Sequence, residues 1–294
     1  MDWRALALGV AFVAMWSSAF TSAHVVVTYA PPFLALSTRF LVSGLIALAI
    51  GRALGQRLPR DRAQWIAVGV FGLCQNALYL GLNFLALQSL DASVAVIIAS
   101  LLPLAVAALA WIARGERLSA LAAAGLAAGV AGVLVIMTAR LQAGADPLAV
   151  ALCVGALLAL SVATLLVTGA SADGNLWTIV GLQMLVGSLL LFPVAALFET
   201  WRVAWTLPLA LAFGYTVLAP GLAATMIWFV LVRRIGATRA ATFHFLNPFF
   251  GIATAAIVLG ETLTLRDLAG VAIIMAGILA VQLGRRPPPA PMPD

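Results

Sequence analysis

Residues 91–134 match residues 236–279 without a gap, at a constant offset of 145. Ala92, Leu101, Pro103, Ala108, Ile112, Gly115, Glu116, Leu118, Gly125, Gly132 and Leu134 recur as Ala237, Leu246, Pro248, Ala253, Ile257, Gly260, Glu261, Leu263, Gly270, Gly277 and Leu279. Five further alanines bring the identities to 16 in 44 positions, against about a tenth expected by chance for such a composition. Any architecture for this chain has to be one that is built twice.

Composition decides where the two copies fold. The chain is 64% apolar and 9% charged with a mean hydropathy of +1.12, whereas a soluble domain is about half apolar and a quarter charged. The stretches between turn clusters are long enough, at about 1.5 Å per helical residue, to cross about 30 Å of hydrocarbon. Ten spans are predicted, over 6–27, 33–51, 65–87, 92–113, 118–138, 147–168, 176–198, 207–231, 237–259 and 267–284. The connections hold the expected breakers, Pro31 and Pro32, Pro59, Gly144 and Pro147, Gly174 and Asn175, and Gly236. The last ten residues, 285–294, carry five prolines and are expected to be a disordered or polyproline tail.

Ten spans in two copies place five in each, and an odd number sets the copies in opposite orientations. The expected fold is therefore an all-α membrane protein, with ten transmembrane helices as two inverted five-helix repeats around a central cavity. The repeats are assigned to residues 1–140 and 141–284, followed by the tail. Related halves that rock about a shared site are the usual construction of a transporter.

Arginine placement orients the chain, which has no lysine. With the N-terminus in the cytoplasm, Arg4, Arg52, Arg57, Arg60, Arg62, Arg114, Arg117, Arg233, Arg234, Arg239, Arg285 and Arg286 fall inside, and only Arg140, Arg202 and Arg266 outside. The loop at 171–175, predicted inside, carries no positive charge. Topology thus accounts for the net charge of +6, and no nucleic-acid partner is read from it. Residues 1–23 resemble a signal sequence, but the apolar run is long and the second copy has an equivalent span from Pro147, so retention is expected. Cys74 and Cys153 lie inside spans and are expected to pack rather than to form a disulfide or a metal site.

In each copy the fourth helix contains a proline, Pro103 or Pro248, and is followed by Gly-Glu-x-Leu, Gly115 to Leu118 or Gly260 to Leu263. The fifth helix then carries a pair of glycines seven apart, Gly125 with Gly132 or Gly270 with Gly277. These features resemble the EamA type of the drug/metabolite transporter superfamily, and within it the bacterial amino-acid exporters. The resemblance implies export of amino acids or related small metabolites across the bacterial inner membrane through a cavity between the repeats. It implies no cofactor. The expected partners are a small-molecule substrate and the lipid bilayer, with the chain acting as a monomer.

Polar side chains inside spans must face other helices or water. Asn76, Tyr79 and Asn83 are spaced i, i+3, i+7 on one face of the third span, and His244, Asn247 and Gly251 on one face of the ninth. These faces are the leading candidates for substrate contact, against a role in bonding neighbouring helices. Gln75 and Gln88 lie off the stripe or at its end and read as helix bonding. Trp16, followed by Ser17 and Ser18, and Tyr215 lie deeper than the other aromatics and offer a wall for an apolar side chain, against plain packing. Ser100 and Ser161 are weaker candidates, since a helix satisfies a hydroxyl through its own backbone. Pro103 and Pro248 read as a shared hinge or kink, because a proline has no N–H to return to the carbonyl four residues back. Arg39 is the one arginine well inside a span, at a cost of about 2.5 to 3.5 kcal/mol at mid-membrane. It is expected to bond carbonyls or reach the headgroups, with a substrate carboxylate as the alternative.

Asp2, Asp61, Asp91, Glu116, Asp146, Asp173, Glu199, Glu261, Asp267 and Asp294 all fall at span ends, in loops or at termini. No carboxylate is placed as a proton carrier, unlike the membrane glutamate of the distantly related small multidrug exporters. Facilitated diffusion or exchange is the resulting expectation. The alternatives are a proton-coupled metabolite or drug antiporter using His24 or His244, and a channel or lipid-handling protein. No His-Glu-x-x-His or Gly-x-Ser-x-Gly motif is present to mark an enzyme.

The arginine distribution yields a topology test. In a variant lacking Cys74 and Cys153, a single cysteine at position 144 should react with an impermeant thiol reagent from outside, and one at position 55 only from the cytoplasm. Reaction of position 144 from the cytoplasm alone would overturn the ten-span assignment.

Overall fold

The computed structural model describes residues 3–115, 118–166, 175–235, 240 and 242–284. The proline-rich tail at 285–294, Glu116, Arg117, Asp173, Gly174, Gly236 and Arg239 lie outside the described residues. Among the described residues every regular element is helical. Nine helices are long and apolar enough to cross a membrane: α1 (Trp3–Tyr29), α2 (Pro32–Ala53), α3 (Arg62–Ala86), α4 (Ala92–Ala113), α5 (Ala120–Gln142), α6 (Pro147–Leu166), α7 (Leu176–Phe198), α8 (Leu207–Ile235) and α10 (Leu265–Gly284). A shorter apolar helix, α9 (Phe243–Leu259), completes the ten. Each coincides with a predicted span.

Local chemistry explains where helices start and stop. The side chains of Asp61, Ser119 and Thr206 accept from Ala63 N (3.3 Å), Ala122 N (3.1 Å) and Leu209 N (3.3 Å), satisfying N–H groups that have no partner inside the first turn. The helices that carry Pro103 and Pro248 both end on a glycine in the left-handed region, Gly115 at φ +65° and Gly260 at φ +69°. A side chain with a Cβ is strained there, which explains why both copies of the motif keep glycine.

Four helices are irregular, in matched pairs. In α4 the α-helix stops at Ala99 and restarts at Leu102, with Pro103 as its second residue. In α9 a 3-10 turn over Thr242–Leu246 precedes an α-helix that begins at Asn247, with Pro248 second. The expected kinks are thus full interruptions at equivalent positions. The other pair lay outside sequence patterning. Helix α3 widens to a π-helix over Gly72–Leu80 and α8 over Val217–Ala223, and the two segments begin 145 residues apart.

Glycine contacts define how the copies face each other. A Cβ on Gly125 would stand 2.6 Å from Gly277 O, and one on Gly132 would stand 2.8 Å from Gly270 O. The later residue of α5 meets the earlier residue of α10, so the helices cross antiparallel. Gly125 is the repeat equivalent of Gly270, and Gly132 of Gly277, so each glycine meets the counterpart of the other, as a two-fold axis in the membrane plane requires. Backbone contact this close supplies dispersion and weak Cα–H···O contacts where lipid offers no hydrophobic drive. Helices α2 and α7 meet the same way, through Gly44 against Gly181 O at 3.0 Å and Ser188 Oγ donating to Ser37 O at 2.8 Å. Helix α1 packs on α8 and α9, and its counterpart α6 on α3 and α4.

Side chains from one copy cap helices of the other. On the face opposite the chain termini, Glu199 accepts from Phe33 N and Leu34 N at 2.8 Å each at the start of α2. Glu261 accepts from Ala92 N (2.8 Å) and Ser93 N (3.0 Å) at the start of α4. On the face that carries the termini, Gln56 Oε1 accepts from Thr178 N (3.2 Å) at the start of α7. Arg140 closes the opposite face, with Asp267 at 2.9 Å and Asp91 at 3.0 Å.

The glycine crossing yields a stability test. Gly125→Ala and Gly132→Ala should each lower the stability of the purified protein by about 1 to 3 kcal/mol through overpacking, read as a lower midpoint in temperature-dependent size-exclusion chromatography. Gly69→Ala is the control, since nothing lies within 4 Å of a Cβ there. Equal midpoints for all three variants would remove the crossing as the structural hinge of the fold.

Candidate functional site

The break in α9 places three polar groups where α1, α8 and α9 converge. Ser17 Oγ donates to Asn247 Oδ1 at 3.3 Å, and Asn247 Nδ2 lies 3.0 Å from His244 Nδ1. With its oxygen taken by Ser17, the Asn247 amide donates to His244 through nitrogen, so the imidazole proton resides on Nε2. Ser17 and Asn247 are buried, and His244 is half-buried.

Aromatic rings wall this set. The Phe12 ring meets His244 edge-on at 5.3 Å, and Trp228 lies 5.1 Å from His244 and 4.9 Å from Phe12. Trp16 follows at 5.8 Å from Phe12. One turn along, Thr21 Oγ1 donates to Thr254 Oγ1 at 3.2 Å. Tyr215 on α8 pairs its hydroxyl with Ser18 on α1 at 2.6 Å and remains 40% exposed. The arrangement offers an amide, an imidazole and hydroxyls inside an aromatic lining, suited to a small solute with both polar and apolar parts.

The equivalent place in the first copy is chemically different. Tyr79 and Asn83 are both buried on α3, which packs on α6. Asn83 Nδ2 donates to Tyr79 O at 2.7 Å, while Asn83 Oδ1 has no partner. A buried acceptor left open is costly unless a ligand or water meets it. Ser100 and Ser161 donate to Val96 O (2.6 Å) and Leu157 O (2.7 Å) of their own helices.

The structure therefore joins His244 and Asn247 with Trp16 at one locus and sets Tyr215 beside it. Asn76 is directed elsewhere. Its Nδ2 donates to Gln183 O on α7 at 2.8 Å, and it sits in the π-helical segment, where a 3.6-residue repeat no longer sets which side chains align. Gln88 was expected to bond a neighbouring helix. It lines an open recess of about 660 Å³ on the face opposite the termini, with Thr28, Tyr29, Trp201 and Arg202. Thr21 and Thr254 were missed as site neighbours, and Ser17 was noted only as following Trp16. The signal was present, since Ser17, Thr21 and His24 form an i, i+4, i+7 polar stripe on the otherwise apolar α1.

Arg39 is 5% exposed and does not reach the headgroups. Its Nε donates to Thr216 O on α8 at 3.2 Å. That carbonyl lies four residues before Pro220, the residue with no N–H to return to it.

Comparison with known proteins agrees with this architecture. The model of the EamA-like transporter family matches twice, over residues 3–138 and 147–283. The uncharacterized transporter YvbV of Bacillus subtilis is 29% identical over 92% of this chain and 88% of its own length. Protein PecM of Dickeya dadantii is 27% identical over 85% of this chain and 83% of its own. A probable amino-acid metabolite efflux pump of Salmonella typhimurium is 44% identical over 78 residues, 26% of this chain and 24% of that protein. A solved crystal structure superposes with a TM-score of 0.67 over 96% of this chain and 98% of its own, at 22% identity, which speaks to the fold alone. With both halves of the chain matched, the protein is a multi-pass membrane protein that belongs to the EamA-like transporter family.

Proposed function

We propose that this transporter exports amino acids and related small metabolites from the bacterial cytoplasm, acting as a monomer with both termini cytoplasmic. The repeats at 1–140 and 141–284 would alternate access to a site between them, with solute moving down its own gradient. The observation that carries the reading is the bonded set Ser17, Asn247 and His244 at the interruption of α9, walled by Phe12, Trp16 and Trp228. A broken helix exposes backbone and polar groups at membrane depth, where a zwitterion needs partners. The partial likeness to the Salmonella efflux pump supports the amino-acid class.

The uncoupled mechanism rests on where the carboxylates are. Among the described residues, Asp61 caps α3, Asp91 and Asp267 pair with Arg140, Asp146 bonds Leu148 N at 2.9 Å, and Glu199 and Glu261 cap helices of the other copy. Each is bonded at a helix end. Involvement of His24 or His244, with His244 the first suspect, would favour proton coupling instead.

Purified protein in liposomes should take up labelled amino acids down a substrate gradient with no imposed pH or sodium gradient. Uptake that appears only with a pH gradient would replace the facilitator by a proton antiporter. Flux with no saturation would favour a channel.

The site geometry gives a second test. Asn247→Ala, Asn83→Ala and Tyr79→Ala should weaken apparent affinity several-fold, since a hydrogen bond contributes about 0.5 to 1.5 kcal/mol. Asn76→Ala should lower thermal stability with little effect on affinity, because its amide serves a carbonyl of α7. Trp205→Ala, 87% exposed, is the control. Normal affinity in the first three variants, with folding checked by size-exclusion chromatography, would move the substrate off these residues.

A further inference from the structure

Arg39 carries more donors than the fold uses. Among the described residues its one hydrogen bond is Nε to Thr216 O at 3.2 Å, and its one ring contact is with Phe40 at 5.5 Å. Among the described residues no carboxylate stands within ion-pair distance of it, and the ion pairs there are those of Arg140. A guanidinium has five N–H groups in a planar fork that matches a carboxylate. Burying that charge is expensive unless it is paired, and the bond to Thr216 alone needs only a neutral donor.

The surroundings supply a second unpaired group. Ser43 lies one turn beyond Arg39 on α2, is 1% exposed, and its hydroxyl has no partner. Both side chains converge on Gly221 of α8, where an added Cβ would stand 3.5 Å from Ser43 Oγ and 3.7 Å from Arg39 Nη2. The bare glycine keeps a side chain out of the space beside these two donors. The next residue before Thr216 is Tyr215, which pairs with Ser18 of α1 beside the aromatic site. The cation therefore stands behind the same stretch of α8 that borders the proposed substrate.

We infer that Arg39, with Ser43, binds the carboxylate of the transported solute. This deepens the amino-acid reading and rests on it for the identity of the solute, although not for the anion. The aromatic and polar set on α1, α8 and α9 would receive the remainder of the molecule, so recognition would be split between α2 and the α1–α9 pair.

The test is thermal stabilisation of the purified protein in detergent by free amino acids, their amides, and the corresponding carboxylic acids without the amino group. At least one free acid should raise the melting temperature saturably while its amide does not. Arg39→Gln keeps a donor for Thr216 O and should weaken that acid by about 10-fold to 100-fold, with Arg39→Lys retaining part of the effect. Ser43→Ala should weaken it several-fold, and decides the matter if Arg39→Gln fails to elute as a folded species. Stabilisation by amides equal to that by acids, no stabilisation by any acid, or undiminished binding in Arg39→Gln or in Ser43→Ala overturns the inference. Binding of amino acids that ignores Arg39 would sink the carboxylate anchor and spare the amino-acid reading. Arg39-dependent binding of the deaminated acids alone would do the reverse.

Discussion

In hydrocarbon every backbone N–H and C=O must find a partner within the protein, and the departures from regular helix in this fold are organised around that requirement. Where Pro220 cannot return an N–H to Thr216, the helix widens into its π-helical segment, and Arg39 from another helix donates to the same carbonyl. Where α2 and α4 begin with open N–H groups, Glu199 and Glu261 arrive from the opposite repeat. The carboxylates are favoured there twice over, by two hydrogen bonds each and by the positive end of the helix dipole. Glu261, the acidic residue of the second Gly-Glu-x-Leu motif, is therefore a strut between copies.

The crossing of α5 with α10 supplies the complementary constraint. Side-chain-free contact at Gly125, Gly132, Gly270 and Gly277 fixes two helices at a distance that alanine would not tolerate. With α2 against α7, this makes two tightly joined pairs, while the interrupted helices α4 and α9 meet one another. Close pairs beside broken helices form a division of labour suited to motion between halves.

Much of this was legible in the sequence because the signals are local. Hydropathy over about 20 residues marks a span whatever its neighbours, and the matched Pro103 and Pro248 announced breaks at equivalent depths. The glycine pairs at Gly125 and Gly270 were visible as a motif. What they touch was not, since a contact between residues more than 100 apart in the chain leaves no local trace. The face of α3 failed for a different reason. The expected stripe of Asn76, Tyr79 and Asn83 assumed 3.6 residues per turn, and the π-helical segment broke that phase and sent Asn76 to α7. Arg39 was correctly expected to bond a carbonyl, yet nothing near it in sequence named Thr216.

The two copies share a backbone and differ in chemistry at the centre. The second offers His244, Asn247 and Trp228 where the first offers Ala99, Leu102 and Asn83 at the equivalent positions. Similarly, Asn76 reaches from α3 to a carbonyl of α7, while its counterpart on α8 is Gly221, beside which Arg39 of the first copy reaches in from α2 to Thr216 O. Were the halves identical, exchanging their conformations would produce an inward-open and an outward-open molecule of the same free energy, and neither would be preferred at rest. Under the proposed alternating access, every position at which the copies diverge would tilt that balance, and the resting orientation would be set by the broken symmetry, residue by residue.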